Sequence, residues 1–130
     1  MENTEQLDQC HITRNSGNEK ADVWNVINTC RDHKKFCTVE QVVEFMSRLK
    51  DNSNIKLFLQ DIPTYTKGID HTGLISIMSV CKFNKAKREC CEFFAPTLPE
   101  DTTDEQKEEV AAVITGAFER NKARKCMGLE

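Results

Sequence analysis

Cys30, His33 and Cys37 are the residues with the clearest capacity for chemistry, because thiolates and imidazole are zinc ligands. Offsets of three and seven would set all three along one face of an unbroken helix. No CxxC pair accompanies them, and a fourth ligand would have to come from Cys10, His11, Cys81 or Cys126. Thr38 followed by Gln41 opens a new helix just beyond, so the helix carrying the three should break near residues 34 to 37. Cys90-Cys91 reads as a redox pair at first sight, but adjacent cysteines seldom close a relaxed disulfide. Cys91 more simply continues an apolar stripe toward Phe94. Cysteine catalysis needs a thiolate activated by histidine or a helix amino terminus, and His11, His33 and His71 lie in no such signature. The expectation is core cysteines, no cofactor and no enzyme activity.

Charge offers a second kind of chemistry. Lys82, Lys85, Lys87 and Arg88, with Arg120, Lys122, Arg124 and Lys125, would merge into a strip for an anionic partner if their helices lay side by side. Glu100, Asp101, Asp104, Glu105, Glu108 and Glu109 oppose it, either pairing with that strip or with a basic partner, and read best as a solvated face. The net charge of -3 argues against a dedicated nucleic-acid binder, which needs a cationic excess to displace phosphate counterions. Trp24, Phe36 and Tyr65 are candidate anchors for a partner, Trp24 being assigned to the core because it shares an apolar stripe.

Ile69-Asp70-His71-Thr72-Gly73-Leu74-Ile75 resembles the centre of an EF-hand loop. With Gly73 as the loop glycine, the first and twelfth positions fall on Gly68 and Ser79, so both principal carboxylates are missing and calcium is not expected.

Short amphipathic helices must position these groups. Val23, Trp24, Val26, Ile27 and Cys30 recur at helical spacing, and so do Val42, Phe45, Met46 and Leu49 behind the Thr38 capping box. Asp51, Asn52 and Ser53 break the second helix, Ile55, Phe58, Leu59 and Ile62 define a third, and Pro63 should end it. Leu74, Ile75, Ile77, Met78 and Cys81 read as a fourth helix, with a strand as the rival. Asn84 should cap a fifth holding Cys90, Cys91, Phe93 and Phe94, closed by Pro96 and Pro99. A box at Thr103 and Gln106 opens a sixth with Val110, Val113, Ile114 and Phe118 facing inward. Asn121 should cap the last, with Ala123, Cys126 and Met127 inside and Gly128 as its stop. Residues 1–20 are polar and show no periodic apolar face, so they read as a flexible arm before a single helical domain over 21–130.

Three stretches share one pattern of helix end, polar break and new helix. Phe45 to Asn52 aligns with Ile77 to Asn84, and Ile77 to Arg88 aligns with Val113 to Arg124 after a one-residue shift. Thr38-Val39-Glu40-Gln41-Val42-Val43, Lys56-Leu57, Asp70 before an apolar run, and Phe83 with Lys87 resemble a family of small helical-repeat domains of unknown function in bacterial and animal proteins. The resemblance covers residues 38–94 and implies architecture, without an activity. The family has an aromatic before the break where this chain has Leu49-Lys50-Asp51.

The expected fold is therefore all-α, with five to seven short helices in stacked hairpins forming a short solenoid or irregular bundle, and small α+β as the alternative. The expected function is a noncatalytic protein-protein interaction module with an unidentified protein partner. A nucleic-acid-binding accessory domain acting through residues 82–88 and 120–125 is the second reading, and a thiol or zinc protein the third. Seven cysteines, an odd number without a leader-like amino terminus, point to reduced thiols and a cytoplasmic setting. No apolar run reaches the roughly 18 residues of a membrane span.

Overall fold

The computed structural model describes residues 5–129, and the chain is predominantly α-helical. It divides after Gly68 into two compact units, where a single domain over 21–130 is expected from the sequence. No helix among the described residues is long and apolar enough to cross a membrane.

The first unit contains β1 (Glu5–Gln6), α1 (Gln9–Thr13), α2 (Glu19–His33), β2 (Lys35–Thr38), α3 (Val39–Arg48), α4 (Asn52–Tyr65) and β3 (Thr66–Lys67). Its short strands form a parallel sheet in the order β1-β2-β3, with Glu5 opposite Lys35 and Cys37 opposite Thr66. Parallel neighbours need a crossover, and a pair of helices supplies each one. Asn18 caps α2 by accepting from the Ala21 N–H at 3.1 Å, and Lys34 ends it in the left-handed region at φ 57°. That turn releases the chain into β2. The Thr38–Gln41 capping box is present as expected, starting α3 as β2 ends.

Val23, Val26, Ile27 and Cys30 on α2 are buried, as are Ile55, Phe58, Leu59 and Ile62 on α4, which packs against it. Phe45 from α3 meets Phe58 with ring centroids 4.8 Å apart. Trp24, assigned to the core stripe, is only half-buried. Pro63 does not end α4, which runs two residues further. In the last turn a missing N–H and a ring against the preceding turn cost one backbone bond, which tertiary packing outweighs.

The described part of residues 1–20 is not a flexible arm. Leu7 and Ile12 are fully buried, the Leu7 N–H donates to the Phe36 carbonyl at 2.7 Å, and the Gln41 side-chain amide donates to the Leu7 carbonyl at 2.9 Å. Two apolar residues five apart show no periodicity, so a pattern search passes over a strand followed by one helical turn.

The second unit contains α5 (His71–Ser79), α6 (Asn84–Phe94), a 3-10 turn at Ala95–Thr97, α7 (Asp104–Ala111) and α8 (Ala117–Cys126). The packing closes on itself: α5 lies against α6 and α7, and α8 lies against the same two. Leu74, Ile77, Met78, Cys90, Cys91, Phe94, Val110, Ile114 and Ala123 fill the centre. Leu74 to Ser79 is therefore helix in preference to strand, and Cys81 falls just beyond its end. The Thr103–Gln106 box is present, but α7 stops at Ala111, so Phe118 falls on α8 and out of the core. Asn84 and Asn121 are not caps. Phe83 and Gly116 hold those positions, and Gly128 leaves α8 at φ 81°.

Replacing Ile12 by alanine should lower unfolding free energy by about 2–4 kcal/mol, the cost of a cavity in a packed core. A flexible arm would give less than about 0.5 kcal/mol, the range of substitutions away from packed groups, and urea titration separates the two.

Candidate functional site

The helix–turn–strand geometry decides the fate of Cys30, His33 and Cys37. Lys34 turns the chain back, so Cys30 and Cys37 become buried neighbours with Sγ atoms 3.9 Å apart, while His33 stays exposed. No group of three or more metal-ligating side chains is assembled among the described residues. In the second unit Cys81 and Cys90 approach to 3.6 Å, and the Cys91 thiol instead faces Met78 Sδ at 3.5 Å. Burial pushes the Cys91 thiol up to about 12, which leaves it inert. Cys10 and Cys126 are exposed.

Helices α6 and α8 run side by side in the same direction. Asn84 meets Thr115, its carboxamide oxygen accepting the Thr115 N–H at 3.3 Å, and one turn later Arg88 Nε donates to Glu119 at 2.8 Å. An N-terminal end of each helix therefore lies at one end of the pair. A Cβ at Gly116 would sit 2.9 Å from Asn84 Nδ2, so a larger residue there would displace the Asn84 carboxamide. The Arg88 guanidinium holds the Glu119 carboxyl below its usual range, and Lys122 and Lys85 add to that pull.

The two basic clusters thus converge on Glu119, but much of their charge is held internally. Arg88 also pairs with Glu92, Arg120 donates to the Ile114 and Thr115 carbonyls, and Arg124 pairs with Glu108 in the acidic stretch. Lys122 Nζ stands 4.4 Å over the Phe118 ring. Lys82, Lys85 and Lys125 are exposed and Lys87 is half-buried. Phe83 and Phe118, 56% and 70% exposed, are the large apolar side chains open to solvent among the described residues. Phe83 precedes Asn84 and Phe118 lies in the first turn of α8, so both belong to this end of the pair. Neither was predicted as exposed: Phe118 was assigned to a buried stripe that the break after Ala111 interrupts. Of the expected anchors, Trp24, Phe36 and Tyr65 are half-buried, with Lys67 Nζ 4.4 Å over the Phe36 ring.

Asp70 has a structural use. Its carboxylate accepts the Gly73 N–H at 2.8 Å and the Thr72 hydroxyl at 2.7 Å, capping α5, and these bonds hold it below the usual carboxylate range. Ser79 donates to the Ile75 carbonyl within the helix. The segment that resembles an EF-hand centre is a helix start.

An open cleft of about 430 Å³ in the first unit is lined by Asn15, Glu19, Asp22, Ser47, Arg48 and Lys50, among others. Its polar groups serve the fold. Burial draws the Glu19 carboxyl upward, yet hydrogen bonds from Asn54, Lys50 and Asp51 hold it below its ordinary value. Arg48 donates to the Ile12 and Arg14 carbonyls, and Asp22 accepts the Ser16 N–H. No nucleophile–base pair converges there.

Maleimide labelling of the native protein should modify Cys10 and Cys126 within minutes and Cys81, 6% exposed, more slowly, the other four thiols reacting only after denaturation. Asp70→Ala should cost about 1 kcal/mol, the usual value of an N-cap, while added calcium leaves the wild-type melting temperature unchanged. A carboxylate held below its ordinary range stabilises at neutral pH, and that contribution should disappear as pH falls through the folded value.

Comparison with protein-family models, curated proteins and solved structures yields no match, and the resemblance over residues 38–94 finds no counterpart there.

Proposed function

We propose that the chain is a noncatalytic protein-interaction module built from four copies of a helix pair, with its docking surface at the Phe83–Phe118 end of the α6–α8 pair. The exposure of those two phenylalanines is the observation that carries the reading. Large apolar side chains open to water forgo the stabilisation that cover by a partner would give, and aromatics dominate the energetics of such contacts.

The spacing of the helices supports the repeat. The second helix of each pair begins at Glu19, Asn52, Asn84 and Ala117, intervals of 33, 32 and 33 residues. Ile12, Phe45, Ile77 and Val110 stand at the same intervals and are all fully buried. At the corner inside three of the pairs, the backbone N–H of Leu49, Cys81 and Ile114 donates to the carbonyl three residues earlier, and each of these side chains is buried. In this frame Val110, one turn before Val113, is the counterpart of Ile77.

The docking end also has a charge. Exposed Lys82 and Lys85 flank Phe83 in the chain, Lys122 Nζ stands over the Phe118 ring, and Glu119 is tied to Arg88. The fitting partner is an acidic protein segment presenting apolar side chains, with the lysines accelerating encounter. Nucleic acid is the weaker reading, because Arg88, Arg120 and Arg124 donate to groups of their own chain and the remaining cations are few.

Phe83→Ser with Phe118→Ser should leave unfolding free energy within about 0.5 kcal/mol of wild type, as exposed positions do. The same variant should weaken capture of the protein partner by more than about tenfold, the loss expected of interface anchors. Capture unaffected by the variant would overturn the docking surface. Retention of an oligonucleotide, abolished by salt, would favour the nucleic-acid reading.

A further inference from the structure

The function proposed above uses neither Cys81 nor Cys90, and the inference drawn from them is independent of it. Cys81 lies at the non-helical corner between α5 and α6, and Cys90 lies in the middle of α6. Their sulfur atoms are 3.6 Å apart, with the Cys81 sulfur 3.8 Å from the Ile77 carbonyl. The adjacent Cys91 turns away to Met78, so it does not compete for the same partner.

A disulfide needs the sulfurs to close to about 2.05 Å, a movement that one side-chain rotation and a small backbone shift can supply where one partner is outside regular structure. Cys81 meets that condition, while Cys90 is fixed on a helix. Access is also asymmetric: Cys81 is 6% exposed and Cys90 is sealed. The contact with Cys90, in which either thiol can donate, and nearby Lys87 favour thiolate at Cys81 against burial and the charge of Glu89. Cys90 is correspondingly held as the thiol.

We propose that Cys81 and Cys90 form a dithiol–disulfide site that low-molecular-weight disulfides oxidise in the folded protein. The Cys81 thiolate, its proton released to water, attacks one sulfur of the small disulfide, breaking that S–S bond and expelling a small thiolate. Cys90 then attacks the Cys81 sulfur, its proton passing to the second small thiolate as that group leaves. Two protein thiols are oxidised to one disulfide, and the reagent is reduced to two thiols. The new bond pins the α5–α6 corner, the segment that also carries Lys82 and Phe83.

Cys30 and Cys37 supply an internal comparison, since they touch at 3.9 Å but are both sealed, one on α2 and the other in β2. The experiment exposes the full chain carrying Cys10→Ser and Cys126→Ser to 2-hydroxyethyl disulfide under native conditions. Thiols are then counted after denaturation and crosslinked peptides mapped by mass spectrometry. The expected result is a fall from five free thiols to three, with residues 81 and 90 joined. That pair should form at least about tenfold faster than Cys30–Cys37, because attack requires an accessible thiolate. Cys90→Ala should instead hold a stable mixed disulfide at Cys81, with circular dichroism confirming the fold. Five thiols unchanged, a Cys90–Cys91 crosslink, or Cys30–Cys37 closing first would each overturn the proposal.

Discussion

The fold depends on how its helix ends are satisfied. Helices of five to fifteen residues leave a large share of their backbone donors and acceptors without a partner inside the helix, and each end must find one elsewhere. Asn18, Thr38, Asp51, Asp70 and Thr103 meet that demand from their side chains, and Glu19 accepts the Lys50 and Asp51 N–H groups at the α3–α4 corner. Among the described residues no buried side-chain nitrogen or oxygen lacks a hydrogen bond. Buried apolar residues give the helices their attraction, but the caps decide where each helix begins and therefore which residues face inward.

Where the cap chemistry was local, it was legible in the sequence. The two Thr-x-x-Gln boxes need only four residues and predict the starts of α3 and α7. Asn84 and Asn121 misled because asparagine also serves at a distance: Asn84 bonds Thr115, thirty-one residues away, and the caps fall to Phe83 and Gly116. Moving the start of α8 back from Asn121 to Gly116, five residues, explains two further errors, the inward assignment of Phe118 and the alignment of Val113 with Ile77. A pattern of apolar residues at three and four looks alike after a one-turn slip, so periodicity alone does not fix register. The strands were illegible for a different reason. At two to four residues they have no period to detect, and their stability comes from neighbours thirty residues distant.

The cysteines show the same contrast between spacing and contact. Offsets of three and seven suggested a shared helix face for Cys30, His33 and Cys37, but a single left-handed residue, Lys34, ejects the histidine and closes the two thiols on each other. Cys90-Cys91, adjacent in sequence, point apart because neighbours on a helix are rotated by about 100°. The contact partner of Cys90 sits at a corner whose position follows from the α5 and α6 boundaries, which the sequence places only approximately.

The α6–α8 end differs from the starts of α2, α3, α4, α5 and α7 in what stands at the cap. Where Asn18 and Asp51 turn a polar group back onto the helix, Phe83 and Gly116 make no side-chain cap bond, and each helix start carries an exposed phenylalanine with lysine nearby. Losing a cap costs about 1 kcal/mol, and a ring left in water forgoes the stabilisation that burial would give. Nothing in the packing of the second unit recovers either contribution, since neither ring enters its core. Uncapped backbone N–H groups and the nearby lysines make the same end electropositive. An acidic, partly apolar protein segment would satisfy all three deficits together: it supplies acceptors for the free donors, countercharge for the lysines and cover for the rings. A phosphate backbone would satisfy the first two and leave the phenylalanines in water, and that difference is the physical basis for preferring a protein partner.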